Sequence, residues 1–344
     1  MKAVVFRGAG EVEVRDVPEP VLADPADAIV RVEYAGICGT DLHLIHQDGA
    51  LAPGDGLGHE FVGVIVEAGA AVRGLAVGDR VTGADFTACG ACWWCRGGYH
   101  WECAERTFFG SGTAFGAQID GAQAEYVRVP FADVTLQRLP ADTDPEAGLF
   151  LGDIVATGYG AVQRADFAPG STVAVVGGGP VGQIASQAAQ ACSAGFVVVV
   201  EPVAERRELA QRCGALAVAP DAARAAIDEL TDGRGADAVI EAAGGARGLE
   251  AALGVVRRRG TVVSVGVPSE DQWTMPLARC FADEITLSFA IGNAIRDRDA
   301  LTALLRAGVI DPTVIIDGRV GLADAVRGYT AMHERRSVKT IIVM

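Results

Sequence analysis

Two rhythms of apolar and polar positions divide the chain. In the first part, apolar runs such as AIVRVEY (28–34) and FVGVIVE (61–67) stand among glycine-bearing loops and read as separate strands. From about residue 155 the rhythm becomes an alternation of strand and helix. STVAVV (171–176) reads as a buried strand, followed by GGGPVG (177–182) and an alanine-rich helix through about Ala191. FVVVVE (196–201) is the next strand, and ERRELAQRCGA is a helix that ends near Gly214. ADAVIEAA and GTVVSVGV continue the strands, with RGLEAALGVVRR (247–258) as the helix between them. This alternation predicts a parallel sheet with helices on both faces. The closing SVKTIIVM reads as a last strand.

Gly177, Gly179 and Gly182 form G-x-G-x-x-G, with Pro180 and Val181 between the last two glycines. A lone motif of this kind is weak in a chain with 44 glycines. Here it follows a strand and opens a helix, and Glu201 stands 24 positions past the first glycine. That context makes it a dinucleotide-binding fingerprint, with the pyrophosphate at the helix N-terminus and the acid on the ribose. A carboxylate accepts hydrogen bonds from a ribose 2′-OH and repels a 2′-phosphate, so NAD is favoured over NADP. Arg206 and Arg207 complicate this, because they offer charge to a phosphate.

Composition changes the picture in three ways. A length of 344 residues suggests two domains, and 50% hydrophobic with 21% charged residues describes a folded globular protein. The formal charge of −15 comes without a basic stripe, which argues against nucleic acid as a partner. The N-terminus MKAVVFRGAG does not resemble a signal peptide, and the central apolar run FVVVV is too short to span a membrane. A cytoplasmic location without membrane attachment is expected.

Four of the eight cysteines crowd into ACGACWWCRGGYHWEC (88–103). Structural disulfides are rare in a reducing cytosol, so clustered thiols point to metal or redox chemistry. Cys89, Cys92, Cys95 and Cys103 have the spacing C-x2-C-x2-C-x7-C, which lets a loop converge its sulfurs on a tetrahedral zinc. Four thiolates leave no open position, so this zinc would be structural. Trp93, Trp94, Tyr99 and Trp101 are expected to pack a metal-tied lobe, and Cys192, Cys213 and Cys280 to be small buried hydrophobes. A further Cys–His pair lies in GICGTDLHLIH (36–46) and GLGHEFVG (56–63). Cys38 and His59 are sound zinc ligands, but taken alone a buried cysteine and a satisfied core histidine explain them equally well.

The ordered set GICGTDLH, GHE, C-x2-C-x2-C-x7-C and VVGGGPVG resembles the zinc-dependent medium-chain alcohol dehydrogenases, and the resemblance runs through to SVKTIIVM. It implies a two-domain α/β fold: a GroES-like β-barrel catalytic domain and a Rossmann domain with a doubly wound parallel sheet. The catalytic domain would take residues 1–154 and 295–344, including a zinc lobe at about 88–104, and the Rossmann domain 155–294. The resemblance places the catalytic zinc on Cys38, His59 and Asp153, where the family's usual second cysteine is replaced by aspartate. With the four-cysteine lobe this makes two zinc ions per chain.

By the same resemblance, Thr40 hydrogen-bonds the substrate oxygen, His43 relays its proton, and Glu60 orients the ligands or binds zinc transiently. Thr157, Val265, Ala290 and Gly292 would approach the nicotinamide. Lys339 would reach the pyrophosphate, and Arg206 would lie near the adenosine. His46, His100 and His333 receive no role. The implied reaction is reversible oxidation of an alcohol, a secondary alcohol or polyol by the Asp153 variant, with hydride passing to NAD. Its partner is a small alcohol or carbonyl substrate, and the family's habit is a homodimer or homotetramer. A same-fold reductase of an activated C=C or C=N bond is the alternative, and a non-enzymatic zinc or nucleotide-binding protein is a third class.

Overall fold

The computed structural model describes residues 1–344 except Ser269 and Asp271. The chain forms two compact units. One comprises Met1–Asp153, Asn293–Thr302 and Ile316–Met344, the other Ile154–Gly292 and Ala303–Ile315.

The second unit is built on a six-stranded parallel sheet. Across it run Leu216–Val218, Phe196–Val200, Thr172–Val176, Ala236–Glu241, Val256–Ser264 and Thr286–Phe289. The chain starts in the middle, at Thr172–Val176, and winds outward in both directions, the Rossmann order. Every residue of that first strand is buried, which explains why its sequence is an apolar run rather than an alternation. One predicted boundary moves. The helix expected through Arg258 ends at Val255, and a strand begins at Val256. Two adjacent β-branched valines favour the strand, and Val256 pairs with Ala236 ahead of a bulge.

In the first unit, seven strands make an antiparallel-dominated sheet. Its path is Ile316–Gly321, Lys339–Val343, Ala28–Gly36, Glu60–Ala68, Arg80–Gly83 and Leu136–Arg138, with Tyr126–Val129 added on Ala28–Gly36. Val4, Val30, Ile37, Phe61, Ile65, Phe109 and Ile342 anchor its core. The register pairs Gly36 with Glu60, so the end of one strand meets the start of the next. No helix among the described residues is long and apolar enough to cross a membrane.

Candidate functional site

Cys38 caps the helix Gly39–His46 directly after the strand Ala28–Gly36. His59 stands directly before the strand Glu60–Ala68. The antiparallel register therefore brings two residues 21 positions apart to one place. Asp153 joins them from the far end of a 3-10 turn, Leu149–Gly152, with φ −139° and ψ −83°. Gly152 sits so close to the carbonyl of Gly83 that a Cβ there would collide with it.

The donor atoms of Cys38, His59, Glu60 and Asp153 all lie within 4.8 Å of one another. Cys38 Sγ is 3.6 Å from Asp153 Oδ2, and His59 Nε2 is 3.3 Å from the same oxygen. A tetrahedral zinc with Zn–S of about 2.3 Å and Zn–N and Zn–O near 2.1 Å demands S···O and N···O edges of about 3.6 and 3.4 Å. Neither His59 ring nitrogen has a partner of good hydrogen-bond geometry, although the ring is 1% exposed. Burial by itself lowers the His59 imidazole, but Asp41, Cys38 and Asp153 around it raise it well above its usual value. Burial pushes the Cys38 thiol up, and the Asp153 charge adds to this. Anionic groups caged with one imidazole in a dry site call for a cation, and this donor set fits zinc.

Sequence reasoning missed Asp41. Its Oδ2 accepts the Cys38 N–H at 2.9 Å, while Oδ1 lies 3.3 Å from His59 Nδ1. A carboxylate there fixes the ring and would leave Nε2 free for a metal. The signal was available, since Cys38-x-x-Asp41 has the spacing of a helix capping box, which the structure shows. Glu60 is also fully buried, and its carboxyl is pushed up to about 7 by burial against the pull of Lys339. Lys339 Nζ lies 2.8 and 2.6 Å from the two Glu60 oxygens. The structure thus gives Lys339, expected at a pyrophosphate, a partner that the sequence reading did not foresee. Gly36 is required here, because a Cβ would run into the Glu60 carboxylate.

Thr40 Oγ1 lies 3.7 Å from Cys38 Sγ, and His43 is exposed one turn further along the same helix. Partial burial and the neighbouring His46 hold the His43 imidazole below its ordinary value.

In the lobe, the four cysteine sulfurs also lie within 4.8 Å of one another. Cys89 Sγ and Cys95 Sγ are 4.0 Å apart, far beyond a disulfide and close to the roughly 3.8 Å edge of a zinc–thiolate tetrahedron. Backbone N–H groups of Cys89, Cys92 and Cys95 donate to the sulfurs of Cys103, Cys89 and Cys92 at 3.3, 3.4 and 3.5 Å. The Cys95 N–H is the main cause that brings the Cys92 thiol down to about 7. The aromatic residues correct the expectation of packing. Trp93, Trp94 and Tyr99 are 73%, 45% and 54% exposed, and Trp101 alone packs inward, against Phe86, Phe108 and Arg106. Likewise Cys280 is buried, but Cys192 and Cys213 are only half-buried.

In the second unit the glycine loop behaves as its spacing implies. Gly177 has φ +98°, and a Cβ there would lie 2.8 Å from Ala243 N. Gly182 packs against the Gly177 carbonyl, with no room for a side chain. Gly179 caps the helix Pro180–Ala191, with Pro180 and Val181 as its first residues and the Arg206 guanidinium beside it. Glu201 is buried, and its oxygens accept the N–H groups of Gly178 at 2.7 Å and Val203 at 2.9 Å. Ala290 N donates to Ser264 O, next to Val265, and Gly292 lies against Thr157 so closely that a Cβ would crowd its hydroxyl. The structure brings these four together within the unit.

Residues 24–140 match the alcohol dehydrogenase GroES-like domain, and residues 180–307 match the zinc-binding dehydrogenase model. The chain belongs to the zinc-dependent medium-chain alcohol dehydrogenase family, with its GroES-like and Rossmann units, and is an oxidoreductase. It is 38% identical to a probable zinc-binding alcohol dehydrogenase of Mycobacterium tuberculosis, over 97% of this chain and 86% of that one. It is 32% identical to an L-threonine 3-dehydrogenase of Streptomyces avermitilis, over 99% of each. The solved alcohol dehydrogenase TADH from Thermus sp. ATN1 superposes with a TM-score of 0.95 at 38% identity, covering 100% of this chain and 99% of that one.

Proposed function

We propose that this protein oxidises a secondary alcohol or polyol to the carbonyl compound, reversibly, with NAD as the hydride acceptor and two zinc ions per chain. The observation that carries the reading is the Cys38–His59–Asp153 donor set, whose two edges at Asp153 suit a tetrahedral metal; with Glu60 held by Lys339, three ligands would leave a position for a substrate oxygen. When bound, zinc supplies Lewis acidity towards the alcohol oxygen and the nicotinamide supplies the hydride acceptor.

The chain's own residues do the rest. Cys38, His59 and Asp153 hold the metal, and Asp41 fixes the His59 ring. Glu60, tied to Lys339, places a second carboxylate beside the ligands and tunes their field. Thr40 Oγ accepts the substrate's hydroxyl proton in a hydrogen bond, and His43, exposed on the same helix, passes that proton to water. The N–H groups at the start of Pro180–Ala191 receive the pyrophosphate, with Arg206 beside them. Glu201 is already oriented by two backbone N–H groups, and its remaining lone pairs take the ribose hydroxyls and disfavour a 2′-phosphate. Thr157, Val265, Ala290 and Gly292 frame the nicotinamide end. A homodimer or homotetramer is supported by the edge strand Thr286–Phe289, where Phe289 and the nearby Phe281 stay 65% and 88% exposed.

The test is zinc per chain by elemental analysis, for the native protein and for Cys38→Ser. Two zinc ions falling to one, with loss of alcohol oxidation, is the expected result. A single zinc that Cys38→Ser leaves in place would overturn the reading in favour of a reductase that does without a catalytic metal.

A further inference from the structure

Behind His59 runs a chain of buried polar groups, of which only Asp41 stands in a sequence motif. Gln123 is 0% exposed, Asp41 0%, His59 1% and Tyr329 3%. The Gln123 Nε2 amide donates to Asp41 Oδ2 at 3.1 Å and to the Gly36 carbonyl at 2.9 Å. Its Oε1 accepts the Tyr329 hydroxyl at 2.7 Å. These contacts determine the amide's orientation. Turned over, the oxygen would face a carboxylate and a carbonyl, two acceptors in a dry place, which costs what an unmade buried hydrogen bond costs.

The backbone of the same residue reaches the segment that carries His59. Gln123 N donates to Leu57 O at 2.9 Å, and Ala122 N to Gly58 O at 2.8 Å. Gly58 has φ +94°, and a Cβ there would collide with the Gln123 side chain, so the glycine before His59 is the space the glutamine stem occupies. Gln123 therefore holds both things that orient the His59 ring: the chain leading into it and the carboxylate behind Nδ1.

We propose that Gln123, locked by Tyr329, is a positioning residue for the metal ligand His59. It keeps Asp41 at the ring's Nδ1, so that Nε2 faces the metal without a proton. The inference rests on the reading of Cys38, His59 and Asp153 as a zinc site. It concerns how tightly and in what geometry that site holds its ion, which is measurable without turnover.

The experiment loads native protein, Gln123→Met and Tyr329→Phe with Zn2+ and with Co2+. It reads metal affinity by chelator competition and the absorption spectrum of the bound Co2+. The four-cysteine site, which these variants do not touch, serves as the internal standard. Gln123→Met is expected to weaken the Cys38–His59–Asp153 ion by roughly 10- to 100-fold and to shift its Co2+ spectrum. Tyr329→Phe, which loses one hydroxyl, is expected to weaken it by about fivefold. It carries the test alone if Gln123→Met does not fold. A purely structural role would lower Tm while leaving affinity and spectrum unchanged in the folded variants, and that result overturns the proposal alone. A native protein that holds no ion outside the four cysteines overturns both the proposal and the metal reading beneath it.

Discussion

Lys339 and Glu60 bury opposite charges against one another, and each is tolerable only because of the other. Lys339→Ala leaves a carboxylate without its cation in a dry place, and calorimetry is expected to show a loss of roughly 3–5 kcal/mol. The double change Lys339→Met with Glu60→Gln is expected to recover a large part of it, since no uncompensated charge remains. His43 gives the pH prediction. The fold disfavours its imidazolium, so the folded pKa lies below the unfolded value of about 6.5. The ring stays a proton acceptor to lower pH than a free histidine, and the acid limb of kcat/KM for alcohol oxidation should fall below about 6.5. Stability works in the same sense: the unfolded chain binds the extra proton, so this group's contribution declines as pH drops from 6.5 towards the folded value. His43→Ala should lower kcat by about a hundredfold or more, with partial rescue by added imidazole. At this scale, motif residues were legible and their partners were not. Cys38, His59 and Asp153 stand in recognisable strings, whereas Gln123 and Tyr329 act through contacts spanning 82 and 206 positions. Nothing local marks a glutamine in GAQAEYV as the neighbour of a metal ligand.

Among the elements, the strand–loop–helix at Thr172–Ala191 was the most legible, because Gly177 and Gly182 each have a local reason, a left-handed turn and a close approach of helix to loop. Gly177→Ala imposes a side chain on a left-handed residue and on the Ala243 N–H together. It should cost about 1–3 kcal/mol and weaken NAD binding, read by thermal melting and by titration of NADH fluorescence. The helix boundary at Val255 was less legible. Arg257 and Arg258 suit a helix by propensity, and only the pairing of Val256 and Thr261 on either side of the bulge carries the strand past them. The cysteine loop gathers its four sulfurs as their spacing implied, but its aromatic residues differ from expectation, since apolar character alone does not say whether a side chain finds a wall to pack on.

For the molecule as a whole, the presence of GroES-like and Rossmann parts could be read from the change of rhythm near residue 155 and from motif order, while assembly could not. Neither could the return of Ala303–Ile315 to the second unit, which the reading of 295–344 as catalytic domain places in the first. Phe281→Glu places charge on the most exposed large apolar side chain beside the edge strand, and light scattering should show smaller assemblies than native if that edge joins copies. Unchanged mass would place the interface elsewhere. Three of the chain's four tryptophans, Trp93, Trp94 and Trp101, sit in or beside the cysteine loop, and two of them face solvent. Most of the protein's indole groups therefore surround the four-cysteine loop, while the fourth, Trp273, packs on the core of the parallel sheet. With zinc on the four cysteines, a chelator that strips it is expected to change the emission while circular dichroism holds steady. A denaturation curve followed by emission is then expected to run ahead of one followed by ellipticity, by the share of the emission that comes from the loop and not from Trp273.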